Sequence, residues 1–376
     1  MGLLARQPVK AVYTLAALTF ELARFPLWLA KYLIASGRQH TEYSFRQALG
    51  VRVFFSAVYH MAKVEVKTPL PLTPGKEKER FVVIKTAAPS FYKGPLLSAD
   101  IKPVDIGATW YPAPLTTSSD LSAVTVILHL HGGAFVLGDG RTEATGYLAS
   151  NLLKHTPATH VFAPQYRLST LPASKTSNPF PAAIQDSLTA YLYLINTLKI
   201  SPKNIIIGGD SAGGNASISI LRYISEYGSD IDIPAPSAAL LWSPWLSPAE
   251  SLTGDFVRTN ANYSSDYLSF PFTEWGSLAY AGSAGAGVLT NPYISPKGKP
   301  FKTPVPLFVN SGSTEVLFFD DKEWAADMKA AGNNVTFDVE PNAPHDVLLL
   351  GNVLGFDKAA ASQTKRAGEW LVGVRK

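Results

Sequence analysis

The chain has 376 residues, 46% hydrophobic and 16% charged, which is enough to bury a large core. A formal net charge of +4 with no basic run argues against nucleic acid as a partner. Without any cysteine, disulfides and thiolate metal ligands are excluded.

Residues 1 to about 65 are expected to be helical. Ala11 to Phe20 and Phe25 to Ala35 are apolar blocks interrupted by Glu21, Arg24 and Lys31. A spanning helix wants about 20 largely apolar residues, and those charges count against one. Arg6 and Lys10 before an apolar run resemble a secretory leader, yet no small-x-small cleavage site precedes Glu21. Arg6 also stands where a myristoylation signal wants Ser or Thr. The expectation is a helical cap or a membrane-associated segment, with peripheral contact through residues 1–36. The location expected from this is cytoplasmic or intracellular and membrane-associated rather than secreted. Ser44-Phe45-Arg46-Gln47 has the capping-box pattern that opens a second helix.

Pro69, Pro71, Pro74 and Gly75 break the chain into a linker over residues 66–80. Lys76-Glu77-Lys78-Glu79-Arg80 alternates in sign and reads as a solvated connector. The main domain is expected over residues 81–376. Strand signals there are Phe81 to Ile84, the stretch around Ala108 to Tyr111, Val124 to Leu128, His160 to Ala163, Ile205 to Ile207, Ala238 to Trp242, Val305 to Val309 and Val335 to Val339. Pro181 to Lys199 and Asp321 to Ala331 read as helices among them. Such alternation predicts an α/β fold, a mostly parallel central sheet with helices on both faces. It fails between Ser243 and Ser295, which suggests a cap insertion at about 246–290.

Gly209-Asp210-Ser211-Ala212-Gly213 lies between the run Ile205 to Ile207 and a helix-compatible stretch. That setting suits a nucleophile elbow, where flanking glycines permit a turn tight enough to push the serine hydroxyl out of the sheet. A serine so placed is served by an acid and then a histidine further along the chain. His345 is the only histidine after Ser211, in the turn Pro341-Asn342-Ala343-Pro344-His345-Asp346 following the last expected strand. The candidate acid is Glu315, first on the loop after the preceding strand. Asp320 is the alternative, although it and Asp321 fall where a helix begins and carboxylates serve as caps. His131-Gly132-Gly133-Ala134-Phe135 follows a strand, so Gly132 and Gly133, with Ala212, are the expected backbone donors of an oxyanion hole. His131 is read as shaping that loop and His129 as core. No Gly-x-Gly-x-x-Gly, no Gly-Lys-[Ser/Thr] and no metal-ligand spacing occur, so neither cofactor nor metal is expected. Sequons stand at Asn215, Asn262 and Asn334.

His131-Gly132-Gly133-Ala134-Phe135, Tyr166-Arg167-Leu168, Phe180-Pro181-Ala182-Ala183 with Asp186, and Gly209 to Asn215 occur in order. They resemble the hormone-sensitive-lipase-like branch of the α/β-hydrolases, which includes arylacetamide deacetylases and fungal steryl acetyl hydrolases. The resemblance runs from about residue 106 to the C-terminus. It implies the α/β-hydrolase fold, an N-terminal cap and a metal-free ester hydrolase with Ser211, Glu315 and His345 as its triad. Two departures stand out: Ala134 replaces a third glycine, and Ser169-Thr170-Leu171 replaces the usual Ala-Pro-Glu. The expected substrate is an apolar, short-acyl ester of a bulky alcohol, cleaved through an acyl-enzyme. The same triad would serve an acyltransferase or a natural-product tailoring enzyme. A non-catalytic small-molecule-binding protein is a third reading, against which His345 counts.

Overall fold

The computed structural model describes residues 2–375. Strands form at β1 (Phe81–Ile84), β2 (Ile106–Tyr111), β3 (Val126–Leu130) and β4 (His160–Gln165). The later ones are β5 (Ile205–Asp210), β6 (Ala238–Trp242), β7 (Leu307–Gly312) and β8 (Val335–Glu340). They make one eight-stranded sheet in the order β1-β2-β4-β3-β5-β6-β7-β8. β1 pairs antiparallel with β2 and β2 with β4, while every pairing from β4 to β8 is parallel. β3, β5 and β6 are buried along their whole length, which is why they read as continuous apolar runs rather than alternating ones.

The helices are α1 (Val9–Leu33), α2 (Phe45–Lys63), α3 (Thr142–His155), α4 (Ala182–Leu192) and α5 (Ala212–Tyr227). They continue with α6 (Gly254–Arg258), α7 (Phe270–Ala281), α8 (Phe318–Ala330), α9 (Val347–Leu354) and α10 (Asp357–Val374). On one face of the sheet Ile127, Val161, Ile206, Leu240 and Phe308 pack with Leu148 and Leu152 of α3 and Leu371 of α10. On the other face Val126, Leu128, Ile205, Ile207 and Val309 join a larger cluster with residues of α4, α5 and α8. The α/β architecture with both faces covered is the one expected. α1 packs on α2, and α2 on α7 and α9, so the N-terminal helices cover the same end of the molecule as the segment between β6 and β7. Trp28, Tyr32, Val51 and Val58 belong to the same buried cluster as the sheet.

Several boundaries differ from the sequence expectation. β7 starts at Leu307 rather than Val305, since Pro306 has no N–H to give the ladder, and it runs on through Ser311 and Gly312. β5 continues through both glycines to Asp210, and β3 extends through His129 to Leu130. α4 stops at Leu192, and a π-helical turn follows over Tyr193–Thr197. The two N-terminal apolar blocks form one helix with Pro26 inside it. The Ser44 capping box forms, with Gln47 N–H donating to Ser44 Oγ at 3.3 Å and Ser44 N–H to Gln47 Oε1 at 2.8 Å. The connector at Lys76 to Arg80 is not simply solvated. Glu77 is buried there, accepting from the Thr142 amide at 3.0 Å and from Thr142 Oγ1 at 2.6 Å, and so holds the start of α3.

Candidate active site

Parallel pairing brings the ends of β3, β5, β7 and β8 to one side of the sheet, and Ser211, Glu315, His345 and the Gly132–Gly133 loop follow those ends. The register sets Leu130 beside Gly209, so the loop that leaves β3 runs past the turn that leaves β5. Ser211 occupies that turn at φ 51° and ψ −116°, a conformation costly for a residue with a side chain. Two glycines make the turn feasible. A Cβ on Gly209 would overlap the Gly213 carbonyl, and one on Gly213 would overlap the Leu130 carbonyl oxygen. Ser211 is locked by its own backbone, donating to the Trp242 carbonyl at 2.9 Å and accepting from the Trp245 amide at 2.9 Å.

Glu315 lies between β7 and α8, fully buried. Ser311 Oγ donates to its Oε1 at 2.6 Å and Ser243 Oγ to its Oε2 at 2.7 Å. His345 Nδ1 is 3.6 Å from Oε2, an ion-pair contact that is too long for a hydrogen bond. Burial pushes the Glu315 carboxyl up, but His345 and the two hydroxyls outweigh it and hold it below the usual range. Burial likewise pushes His345 down, and the carboxylates of Glu315, Asp266 and Asp210 outweigh it, leaving the imidazole above its ordinary value. Asp320 is elsewhere. Its Oδ1 pairs with Lys297 Nζ at 2.8 Å and its Oδ2 accepts from Ser247 Oγ, so the alternative acid braces the start of α8.

Gly132 requires a correction. Its amide, expected in the oxyanion hole, already donates to Asp210 Oδ2 at 2.8 Å. The other oxygen of Asp210 lies 2.8 Å from His129 Nε2, so a carboxylate next to Ser211 ties down the loop that follows β3. Among the described residues no hydrogen bond uses the amides of Gly133, Ala134 or Ala212. Ala134 is thus a third candidate donor that the sequence expectation missed. Its φ of 52° and the +61° of Phe135 show a left-handed loop behind Gly133, itself at φ +104°. His131 shapes this loop as expected. Its Nδ1 meets the Gly132 carbonyl at 2.7 Å and its ring stacks on Tyr166 at 4.1 Å between centroids.

Ser243 and Ser311 were also missed. A serine that ends a strand has no sequence signal for pointing at a carboxylate; only the register of β6 with β7 puts Ser243 there. Asn215 is buried in α5, with Nδ2 donating to the Trp245 and Ile294 carbonyls, each at 2.7 Å. Arg167 and the buried Asp186, both in the quoted motifs, form a bidentate pair at 2.8 to 3.1 Å. Among the described residues no group of three His, Cys, Asp or Glu side chains could hold a metal ion.

Residues 127–349 match the family model described as alpha/beta hydrolase fold. The chain belongs to the α/β-hydrolase fold family. An acetyl-hydrolase of Streptomyces hygroscopicus is 28% identical over 219 residues, covering 58% of this chain and 67% of that protein. Steryl acetyl hydrolase 1 of Saccharomyces cerevisiae is 21% identical over 267 residues, covering 68% and 61%. The matched stretches thus span about two thirds of the length of these relatives. The crystal structure of a hormone-sensitive lipase from a metagenome library superposes with a TM-score of 0.58 at 26% identity, covering 86% of this chain and 98% of that one. With its family and these relatives, the chain is a carboxylic-ester hydrolase, and it is similar in structure to a hormone-sensitive lipase.

Proposed function

We propose that this α/β-hydrolase cleaves apolar carboxylic esters through an acyl-enzyme on Ser211, with His345 as general base and Glu315 as its orienting acid. Ser211 Oγ attacks the ester carbonyl carbon while His345 Nε2 takes the hydroxyl proton. The carbonyl oxygen becomes an oxyanion facing the unpaired amides of Gly133, Ala134 and Ala212. Collapse breaks the C–O bond; the alkoxide leaves with the proton held by His345, and the acyl group stays on Ser211. Water then attacks the acyl-enzyme with the same proton transfers, releasing the acid and restoring the serine.

The observation that carries this proposal is the fully buried Glu315 carboxyl group, pinned by two hydroxyls 3.6 Å from His345 Nδ1 on the side of the sheet where Ser211 is held. The substrate class has two supports. The acetyl-hydrolase and steryl acetyl hydrolase names among the relatives favour a short acyl group on a bulky alcohol. Aromatic rings stand beside the base, with Tyr267 5.6 Å from the His345 ring and Phe54 of α2 4.9 Å from Tyr267. The test is a panel of p-nitrophenyl esters of increasing acyl length, with and without added alcohol, on the wild type and Ser211→Ala. Short esters should turn over fastest and Ser211→Ala should abolish both turnover and fluorophosphonate labelling. No turnover and no labelling of the wild type would refute the proposal, and acyl transfer to the alcohol in preference to water would move it to an acyltransferase.

Peripheral membrane contact through residues 1–36 is the second part of the proposal. Val12, Leu15, Leu18, Leu22 and Leu27 of α1 are each more than half exposed, and Lys31 is the one charged residue among the exposed positions of that helix. An apolar cleft of about 490 Å³ opens between α1 and α2, lined by Leu18, Leu22, Phe25 and Met61. No helix among the described residues is long and apolar enough to cross a membrane. Flotation with anionic vesicles should carry the full chain and leave a Leu15→Glu/Leu22→Glu variant behind; a wild type that stays at the bottom would sink the idea.

A further inference from the structure

Asp266 belongs to neither the expected triad nor the oxyanion loop. It lies in the segment between β6 and β7, just before α7, and is 1% exposed. Its Oδ1 accepts from the His345 amide at 3.1 Å and from its own neighbour Tyr267 at 2.7 Å. Its Oδ2 accepts from the Val316 amide at 2.7 Å. One carboxylate in the cap therefore ties the residue after the candidate acid to the candidate base itself. Neutral groups also join the two loops, Thr314 N–H donating to the Ala343 carbonyl at 3.1 Å and Asn342 N–H to Ser313 Oγ at 2.8 Å, but among the described residues only Asp266 hydrogen-bonds His345. Asn262 Nδ2 donates to the Ser313 and Glu315 carbonyls, and Tyr43 Oη contacts Thr314 Oγ1 at 2.7 Å.

A buried carboxylate is an expensive way to satisfy three amides that neutral acceptors could serve equally well. Its charge lies close enough to His345 to raise the imidazole's proton affinity, alongside the charges of Glu315 and Asp210. Burial pushes the Asp266 carboxyl itself up to about 6, so it is largely ionised over the neutral range. The two loops follow different strands, one β7 and one β8, and a 3.6 Å contact between their side chains tolerates little drift.

We propose that Asp266 is a positioning residue for this reaction, locking the Glu315 and His345 loops together through its paired amide contacts and stabilising the imidazolium by its charge. The inference rests on the ester-hydrolase proposal above. It also makes the cap a working part of the catalytic machinery, because the segment that would cover substrate holds the base in place.

The test compares Asp266→Asn and Asp266→Ser with the wild type in kcat, KM and the pH dependence of kcat/KM. Asparagine keeps the shape but offers one acceptor oxygen, so an amide on one of the two loops is left facing an NH2 group. kcat should fall on the order of 10- to 100-fold with KM nearly unchanged, as expected for sub-ångström displacement of a base. The acid limb of kcat/KM should move to lower pH, because a neutral side chain no longer supports protonated His345. An unchanged acid limb would overturn the proposal whatever happens to kcat, since lost packing alone does not move that limb in this direction. If both variants fail to fold, Asp266 is a structural residue and the proposal is equally overturned. Failure of the ester-hydrolase proposal would look different, because the wild type itself would then be inactive.

Discussion

Replacing Glu315 by glutamine tests the assignment of the acid most directly. The side chain is fully buried, its two oxygens accept from Ser311 and Ser243, and its Oε2 lies 3.6 Å from His345 Nδ1. Glutamine fits the same space, so a loss of activity would be electrostatic rather than steric. Two effects add. The amide offers one acceptor instead of two, so one serine hydroxyl must turn round and accept. The negative charge that orients the imidazole and stabilises it when protonated disappears. Removing the orienting carboxylate from a triad typically costs about 10⁴-fold in kcat, which corresponds to about 5 kcal/mol of transition-state stabilisation. The long 3.6 Å contact puts the expectation at the lower end, on the order of 10³- to 10⁴-fold. The sign of the pH effect follows from the charges. Neutral His345 is the active form, and Glu315 is the strongest of the groups that raise its proton affinity. In the wild type, activity should fall as pH drops through a value raised above histidine's ordinary one; in Glu315→Gln that limb should move to lower pH. Steady-state hydrolysis of p-nitrophenyl acetate from about pH 5 to 9 measures both quantities. A Glu315→Gln enzyme within about tenfold of wild-type kcat, with Asp320→Asn inactive, would refute the assignment.

The other outcomes are simpler. Asp320→Asn should leave kcat within a few-fold of wild type while lowering stability by about 1–3 kcal/mol, because Lys297 loses its 2.8 Å partner at the start of α8 and keeps only Glu250; thermal unfolding beside the ester assay checks it. Gly133→Ala places a Cβ on the Leu137 carbonyl oxygen at a φ of +104°, so the loop must shift and kcat should fall on the order of 10²-fold or more, as for the loss of an oxyanion donor. Wild-type activity in that variant would show that the Gly133 amide plays no part. Ser243→Ala removes a hydrogen bond to Glu315 without touching its charge; a milder loss of kcat than Glu315→Gln, with the acid limb displaced less, is expected from the same titration.

The sequence by itself determined the sheet and the identity of the main candidates. Continuous apolar runs such as Ile205 to Ile207 specify strands buried on both faces, because a parallel sheet leaves no side for polar alternation. Gly209 and Gly213 around Ser211 announce a turn that no side chain tolerates, and the lone histidine after it left one choice of base. Glu315 stood ahead of Asp320 by position; Glu315 lies beside His345, while Asp320 points to Lys297. What the tertiary structure decided is which polar atoms are already spoken for. Gly132 reads like Gly133 in sequence, yet only Gly132 meets Asp210 Oδ2, across a strand register that pairs Leu130 with Gly209. Ser243 and Asp266 carry no motif, because their roles arise from residues brought together from 50 or more positions away; Ala134's role rests on a left-handed backbone that alanine rarely adopts, and Ser311's on a strand that runs on far enough to aim its hydroxyl at Glu315 four residues later. Sequence patterns report local conformation and burial, which each residue carries with it; the pairing of donors with acceptors across loops exists only once the sheet has formed and the segment between β6 and β7 has packed against the loops that leave it.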